Sequence, residues 1–184
     1  MKAPMSGTAC PTLQTLVQGI DQALDDALPE DIPHAVCAAL RRHASLHGLL
    51  DQTQRQGRAQ GYTRYVLHAH PAGLYTMVAL VWRPGQITPI HGHYTWCSYI
   101  VLQGLMREEH FQWLRDQQGA VKTGQVMRKP GDALASHAGL EDIHRLCNAG
   151  DEVAVSIHVY GVDAQRVISH VNRIARDVQA VQAA

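Results

Sequence analysis

The chain has 184 residues, enough for a single domain with a sizeable core. Apolar residues make up 46% of it and charged residues 17%, the composition of a folded globular protein rather than a disordered one. The 16 Lys and Arg balance 16 Asp and Glu with no basic stripe, which argues against nucleic acid as a partner.

The first residues, MKAPMSGTACPTLQTLVQG, lack a continuous apolar stretch, so no signal peptide is expected. Leu13, Leu16, Val17, Ile20 and Leu24 recur at helical spacing, with Thr12 as a candidate N-cap and Pro29 closing the segment. A second helix is expected from about His34 to Leu50, burying Val36, Ala39, Leu40 and the leucines near its end. The polar stretch at 51–61 reads as a connector.

From Tyr62 the period changes. YTRYVLHA, LYTMVALVW, WCSYIVLQG, MREEHFQWL, TGQVMRK, DIHRLCN and EVAVSIHVYG are short, rich in β-branched and aromatic residues, and parted by Gly, Pro, Asp or Asn. Such strands without intervening helices predict an antiparallel sandwich or barrel. The longest uncharged apolar run, MVALVW at 77–82, is far too short to span a bilayer. The tail reads as helical again, because Val167, Val171, Ile174, Val178 and Val181 recur in steps of four and three. The expected organisation is one structural domain: an N-terminal helical segment at 1–61 packed on a β-barrel at 62–161, then a C-terminal helix at 162–184. Cys10, Cys37, Cys97 and Cys147 have no CxxC spacing, which predicts reduced thiols and a cytoplasmic protein.

His91 and His93 stand two apart, so on a strand they share one face, with Gly92 leaving room between them. Two inward imidazoles need partners for their ring nitrogens, and a shared metal ion supplies one. The competing reading is a pair of exposed histidines. His68 and His70 have the same spacing, and His43 and His47 stand four apart on a predicted helix, so spacing alone does not decide. In VSIHVYG, Val155, Ile157 and Val159 take one face of a strand, and Ser156, His158 and Tyr160 take the other. A polar face made of hydroxyl, imidazole and phenol, without Lys, Asp or Glu, reads as a hydrogen-bonded relay lining a cavity.

The frame around the first pair is Gly85, five residues, His91-Gly92-His93, three residues, Cys97, six residues, Gly104. It resembles the first motif of the cupin superfamily, in which a Glu usually stands at the place of Cys97. Gly124, five residues, Pro130-Gly131, and then His144, three residues, Asn148 resemble the second motif, with a longer gap than usual. The resemblance implies a jelly-roll-like antiparallel β-barrel and makes His144 the third metal ligand.

The combination of HxH, a cysteine in the Glu position, a distant IHR histidine and a SxHxY strand resembles the thiol dioxygenases, the cysteine dioxygenase family. That resemblance implies Fe(II) held by His91, His93 and His144, and addition of both atoms of O₂ to the sulfur of a small thiol-carboxylate, L-cysteine first. It implies that Tyr160 donates to oxygen or substrate, oriented by His158 and Ser156. YTR at 62–64 resembles the strand bearing the substrate-binding arginine, so Arg64, with Tyr62, would grip the carboxylate bidentately. Animal members join a cysteine near HxH to the tyrosine as a thioether. Counted back from Gly104 the matching residue is Cys97, and counted forward from His93 it is Ser98. A buried unreactive thiol is therefore expected, with a Cys97–Tyr160 cross-link as the alternative. The rival readings are a dioxygenase for 3-mercaptopropionate or mercaptosuccinate, a Zn²⁺ or Mn²⁺ isomerase or hydrolase, and a non-catalytic thiol-binding cupin.

Overall fold

The computed structural model describes residues 11–178. Two helices come first, α1 (Pro11–Asp26) and α2 (Ile32–His43), followed by a 3₁₀ turn at Gln54–Gln56. Ten strands follow among the described residues: β1 (Thr63–Ala69), β2 (Thr76–Trp82), β3 (His91–His93), β4 (Cys97–Gln103), β5 (Met106–Leu114), β6 (Gly119–Arg128), β7 (Ala133–Ser136), β8 (Gly139–Asn148), β9 (Ala154–Tyr160) and β10 (Asn172–Ile174). They form two antiparallel five-stranded sheets, ordered β1-β2-β9-β4-β7 and β10-β3-β8-β5-β6. The architecture is a jelly-roll of two facing sheets, not one closed hydrogen-bonded ring.

The central strands β2 and β9 are buried along their whole length, yet they keep the two-residue period. Met77, Ile157 and Val159 face outward and pack under Leu16 and Ile20 of α1 and Val36 and Leu40 of α2. Val78, Leu80 and Trp82 face inward and meet Met106 and Leu146 of the second sheet. The helices are anchored by hydrogen bonds as well as by apolar packing. Ser98 donates to the Pro33 carbonyl at 2.6 Å, Arg41 to the Ala133 carbonyl at 2.6 Å, and Tyr75 to Asp21 at 2.7 Å.

The second helix ends at His43, well short of Leu50, because Ala44 turns to extended backbone (φ −71°, ψ 131°). Leu49 and Leu50 are still buried, but from a loop. Thr12 lies inside α1 rather than capping it. The seven strand-like segments correspond to β1, β2, β4, β5, β6, β8 and β9, while β3, β7 and β10 are additional.

The expected C-terminal helix is not formed in the described part of the tail. Residues 163–178 run as turns and the short strand β10. Val167 and Val171 sink into the space between the sheets, whereas Ile174 is exposed, so the apparent helical stripe does not share one face. Pairing of Asn172–Ile174 with His93–His91, and donation by Ala175 and Val178 to the Ile90 and Ala120 carbonyls, take the backbone groups a helix would need. Val181 lies outside the described residues.

Candidate metal centre and its cavity

β3 is only three residues long, and its position depends on Gly92. A Cβ at Gly92 would run into the carbonyl oxygen of Gly139 on β8, so glycine permits the two strands to approach. Register then sets His91 opposite His144, and His93 opposite Gly139. The three imidazoles converge, with ring centroids 5.2 Å (His91–His93), 4.7 Å (His91–His144) and 5.1 Å (His93–His144) apart. One ring nitrogen from each falls within 4.8 Å of the others, and all three residues are buried. Among the described residues no other group of His, Cys, Asp and Glu meets in this way; His68 and His70 lie beside Tyr75, away from the centre.

Burial, then repulsion from the neighbouring His144, holds His91 neutral, its pKa lowered to about 3, and His93 is driven well below the ordinary value for the same two reasons. Neutral imidazoles carry the lone pairs a metal needs. His91 donates Nδ1–H to the Pro89 carbonyl at 2.9 Å, leaving its Nε2 lone pair free. His144 turns Nδ1 toward Glu108 Oε1 at 2.7 Å, with the same result. His93 Nδ1 is buried without a hydrogen-bond partner. This donor set, all nitrogen and closely gathered, fits a divalent first-row transition metal.

Facing the triad is the inward row of β9. Trp82 Nε1–H donates to Ser156 Oγ at 3.0 Å, Ser156 Oγ lies 2.9 Å from His158 Nε2, and Tyr160 Oη lies 3.3 Å from His158 Nδ1. Burial first, then the neighbouring His144, keeps His158 neutral. Burial also pushes the Tyr160 phenol well up, so it keeps its proton. Tyr62 stacks on Trp82 with centroids 4.4 Å apart. Arg64 donates to the Val167 carbonyl at 2.9 Å while its Nε has no partner. Tyr62, Arg64, His91, His93, His144, His158, Tyr160 and Asn172 line one narrow cavity. A wider and more open cleft lies on the far side of Glu108 and His144, but it contains neither Arg64 nor any member of the Ser156–His158–Tyr160 row.

Cys97 lies directly opposite Tyr160 across the β4–β9 pairing and is buried, with its thiol pKa pushed up by burial. Ser98 points the other way, toward Pro33 of α2. Of the two positions counted from the motif, only Cys97 lies on the Tyr160 side of β4, between the sheets.

Three residues at the site were not singled out from the sequence. Tyr99 stacks on the His158 ring at 5.1 Å and 15°, beneath the triad. Trp82 begins the β9 hydrogen-bond chain. Glu108 is 2% exposed, and its Oε1 meets His144 while its Oε2 meets Arg128. Burial raises the Glu108 pKa, but the bonds and charges of His144 and Arg128 outweigh it and hold the value at about 2. The available signal was strand alternation, which places Met106 and Glu108 on one face of β5.

Two antiparallel sheets enclosing a buried three-histidine centre define a protein of the cupin class. Residues 41–172 match the family described as cysteine dioxygenase type I, and the chain belongs to that family. Similar solved structures include a recombinant oxalate oxidase in complex with glycolate, at 16% identity and a TM-score of 0.45, covering 57% of this chain and 53% of that one. The chain thus spans about half the length of that oxidase. A cupin superfamily protein from Desulfitobacterium hafniense aligns at 14% identity and a TM-score of 0.46, over 65% of this chain and 90% of that one. The protein TT1209 from Thermus thermophilus aligns at 17% identity and a TM-score of 0.46, over 62% and 97%. Among the described residues no helix is long and apolar enough to cross a membrane.

Proposed function

We propose that the protein is an Fe(II)-dependent thiol dioxygenase, with L-cysteine as the first candidate substrate and 3-mercaptopropionate and mercaptosuccinate as close alternatives. The reaction converts a thiolate and O₂ into a sulfinate, with both oxygen atoms retained and no external reductant needed. The observation that carries this reading is one cavity lined by His91, His93 and His144, by a cationic Arg64, and by a phenol at the end of a buried relay. His91, His93 and His144 would hold the ion. Bound there, Fe(II) would supply the Lewis-acidic, redox-active centre that sulfur oxygenation requires.

The remaining chemistry belongs to side chains. Arg64 receives the carboxylate, and Tyr62, braced on Trp82, closes that end of the cavity. One assignment of hydrogens satisfies every buried group in the relay. Trp82 can only donate, so Ser156 accepts from it and gives its own proton to His158 Nε2. His158 is then protonated on Nδ1 and donates to the Tyr160 oxygen. The phenolic proton of Tyr160 is thereby left for the cavity, where it can steady negative charge on oxygen. Cys97 pairs with Tyr160 across the strands and is read first as a free buried thiol; a thioether to Tyr160, formed with loss of two hydrogens to O₂, is the alternative. The unpaired Cys37, Cys97 and Cys147 fit a reducing, cytoplasmic setting.

The test is oxygen uptake by Fe(II)-loaded protein with L-cysteine, 3-mercaptopropionate and mercaptosuccinate, with mass spectrometry of the products. A sulfinate about 32 mass units above its thiol is expected, because both atoms of O₂ are added (about 16 units each). Saturable thiol binding without oxygen uptake, or turnover without O₂, would overturn the proposal.

A further inference from the structure

Resting on the reading that the three histidines hold a metal ion, we propose that Glu108 is the positioning residue of that centre. It fixes His144 in the Nδ1–H form, aims the Nε2 lone pair at the ion, and makes His144 the strongest donor of the three ligands.

The three imidazoles are not equivalent. The Nδ1 of His93 has no partner, that of His91 donates to a neutral carbonyl, and that of His144 meets a carboxylate at 2.7 Å. A charged acceptor gives the shorter and stronger bond and draws more proton density from the ring, so the opposite nitrogen becomes a better donor. The bland alternative is that Glu108 merely pairs with Arg128. The geometry argues against it. An isolated arginine–carboxylate pair favours two parallel bonds, one to each oxygen. Here Arg128 Nε and a terminal guanidinium nitrogen both converge on Oε2, at 2.8 Å each, and Oε1 is left to His144. The carboxylate is divided between an anchor and a ligand. The carboxylate that the cupin motif would provide as a ligand at position 97 is thus present one hydrogen bond behind a ligand, on a different strand.

Glu109 provides an internal control. It adjoins Glu108 on β5, carries the same charge, and faces the other side, where it binds Lys122 at 2.7 Å and Arg145 at 2.6 Å. The experiment is anaerobic calorimetric titration of wild type, E108Q and E109Q with Co²⁺, together with the visible spectrum of the bound Co²⁺. E108Q preserves shape and removes charge. It should weaken Co²⁺ binding about 10–100-fold and shift the spectrum, while E109Q stays within about twofold of wild type. A folded E108Q with wild-type affinity and spectrum overturns the inference, as does equal weakening by E109Q, which would mean a general charge effect. If E108Q fails to fold, as judged by circular dichroism, E108D retains the charge but shortens the reach, and wild-type affinity in E108D overturns the inference instead. Absence of Co²⁺ and Fe²⁺ binding in wild type overturns the metal reading and this inference with it.

Discussion

On the proposed function, Tyr160 and Arg64 would divide the work at the level of single side chains, and their variants should separate cleanly. Under that proposal, Arg64→Gln removes a group whose contact with the carboxylate would be the same before and during the chemical step. It should raise KM at least about tenfold with little change in kcat, measured by oxygen uptake against L-cysteine. If KM is unchanged, the carboxylate is held elsewhere. Under the same proposal, Tyr160→Phe removes the proton that would steady developing charge, so kcat should fall about 10²-fold. Peptide mass mapping of wild type would also register loss of two hydrogens, about 2 mass units, if Cys97 and Tyr160 are joined. The histidine row and the relay were legible in the sequence because both lie on strands, where alternate residues share a face. Glu108 was not, since an adjacent pair of glutamates on a strand puts one charge on each face, and nothing local tells which side is buried.

Strands and helices impose their own tests. β3 holds two of the three imidazoles on three residues, and Gly92 lets it approach β8 closely enough for His91 to meet His144. Gly92→Ala would force Cβ against the Gly139 carbonyl and part the strands. Loss of stoichiometric metal binding, with the sheet signal in circular dichroism retained, is the expected result; intact binding would mean that the strands tolerate the shift. On the opposite face, Ser98→Ala leaves the Pro33 carbonyl buried without its donor. A loss of about 1–3 kcal/mol in denaturant unfolding is expected. Element boundaries were read less well than element types. Val167, Val171, Ile174 and Val178 mimic a helical stripe, but β10 is made by pairing with β3, a partner far earlier in the chain that periodicity does not see. β3 itself is too short to show a period.

At the scale of the whole molecule, acid should loosen the metal-free fold. His91, His93 and His158 are neutral when folded but take up protons near pH 6.5 when unfolded. Below that value the unfolded chain binds more protons, so stability falls as pH drops through the window between 6.5 and the depressed folded values, which for His91 is about 3. Each such group contributes a slope of about 1.4 kcal/mol per pH unit in that range. Glu108 adds to the loss below its ordinary 4.5, toward its folded value of about 2. The melting temperature of metal-free protein should therefore decline steeply from about pH 7 to about pH 5, and a flat profile would mean that these rings are not buried neutral. The two-sheet core was legible from segment length and spacing. The way the helices roof the β1-β2-β9-β4-β7 sheet was not, because an amphipathic stripe says that a face is covered but not by which sheet.

Residues 163–178 run beside the cavity, with Asn172 in its lining, Val167 and Val171 wedged between the sheets and the Val167 carbonyl bonded to Arg64. A carboxylate arriving at that guanidinium becomes a rival or a companion to the carbonyl, so events deep in the protein reach a stretch of chain that a protease can attack from outside. Cleavage within 163–170 should accordingly change in rate when a thiol-carboxylate is bound, and the same ligand should leave the rate unaltered in Arg64→Gln.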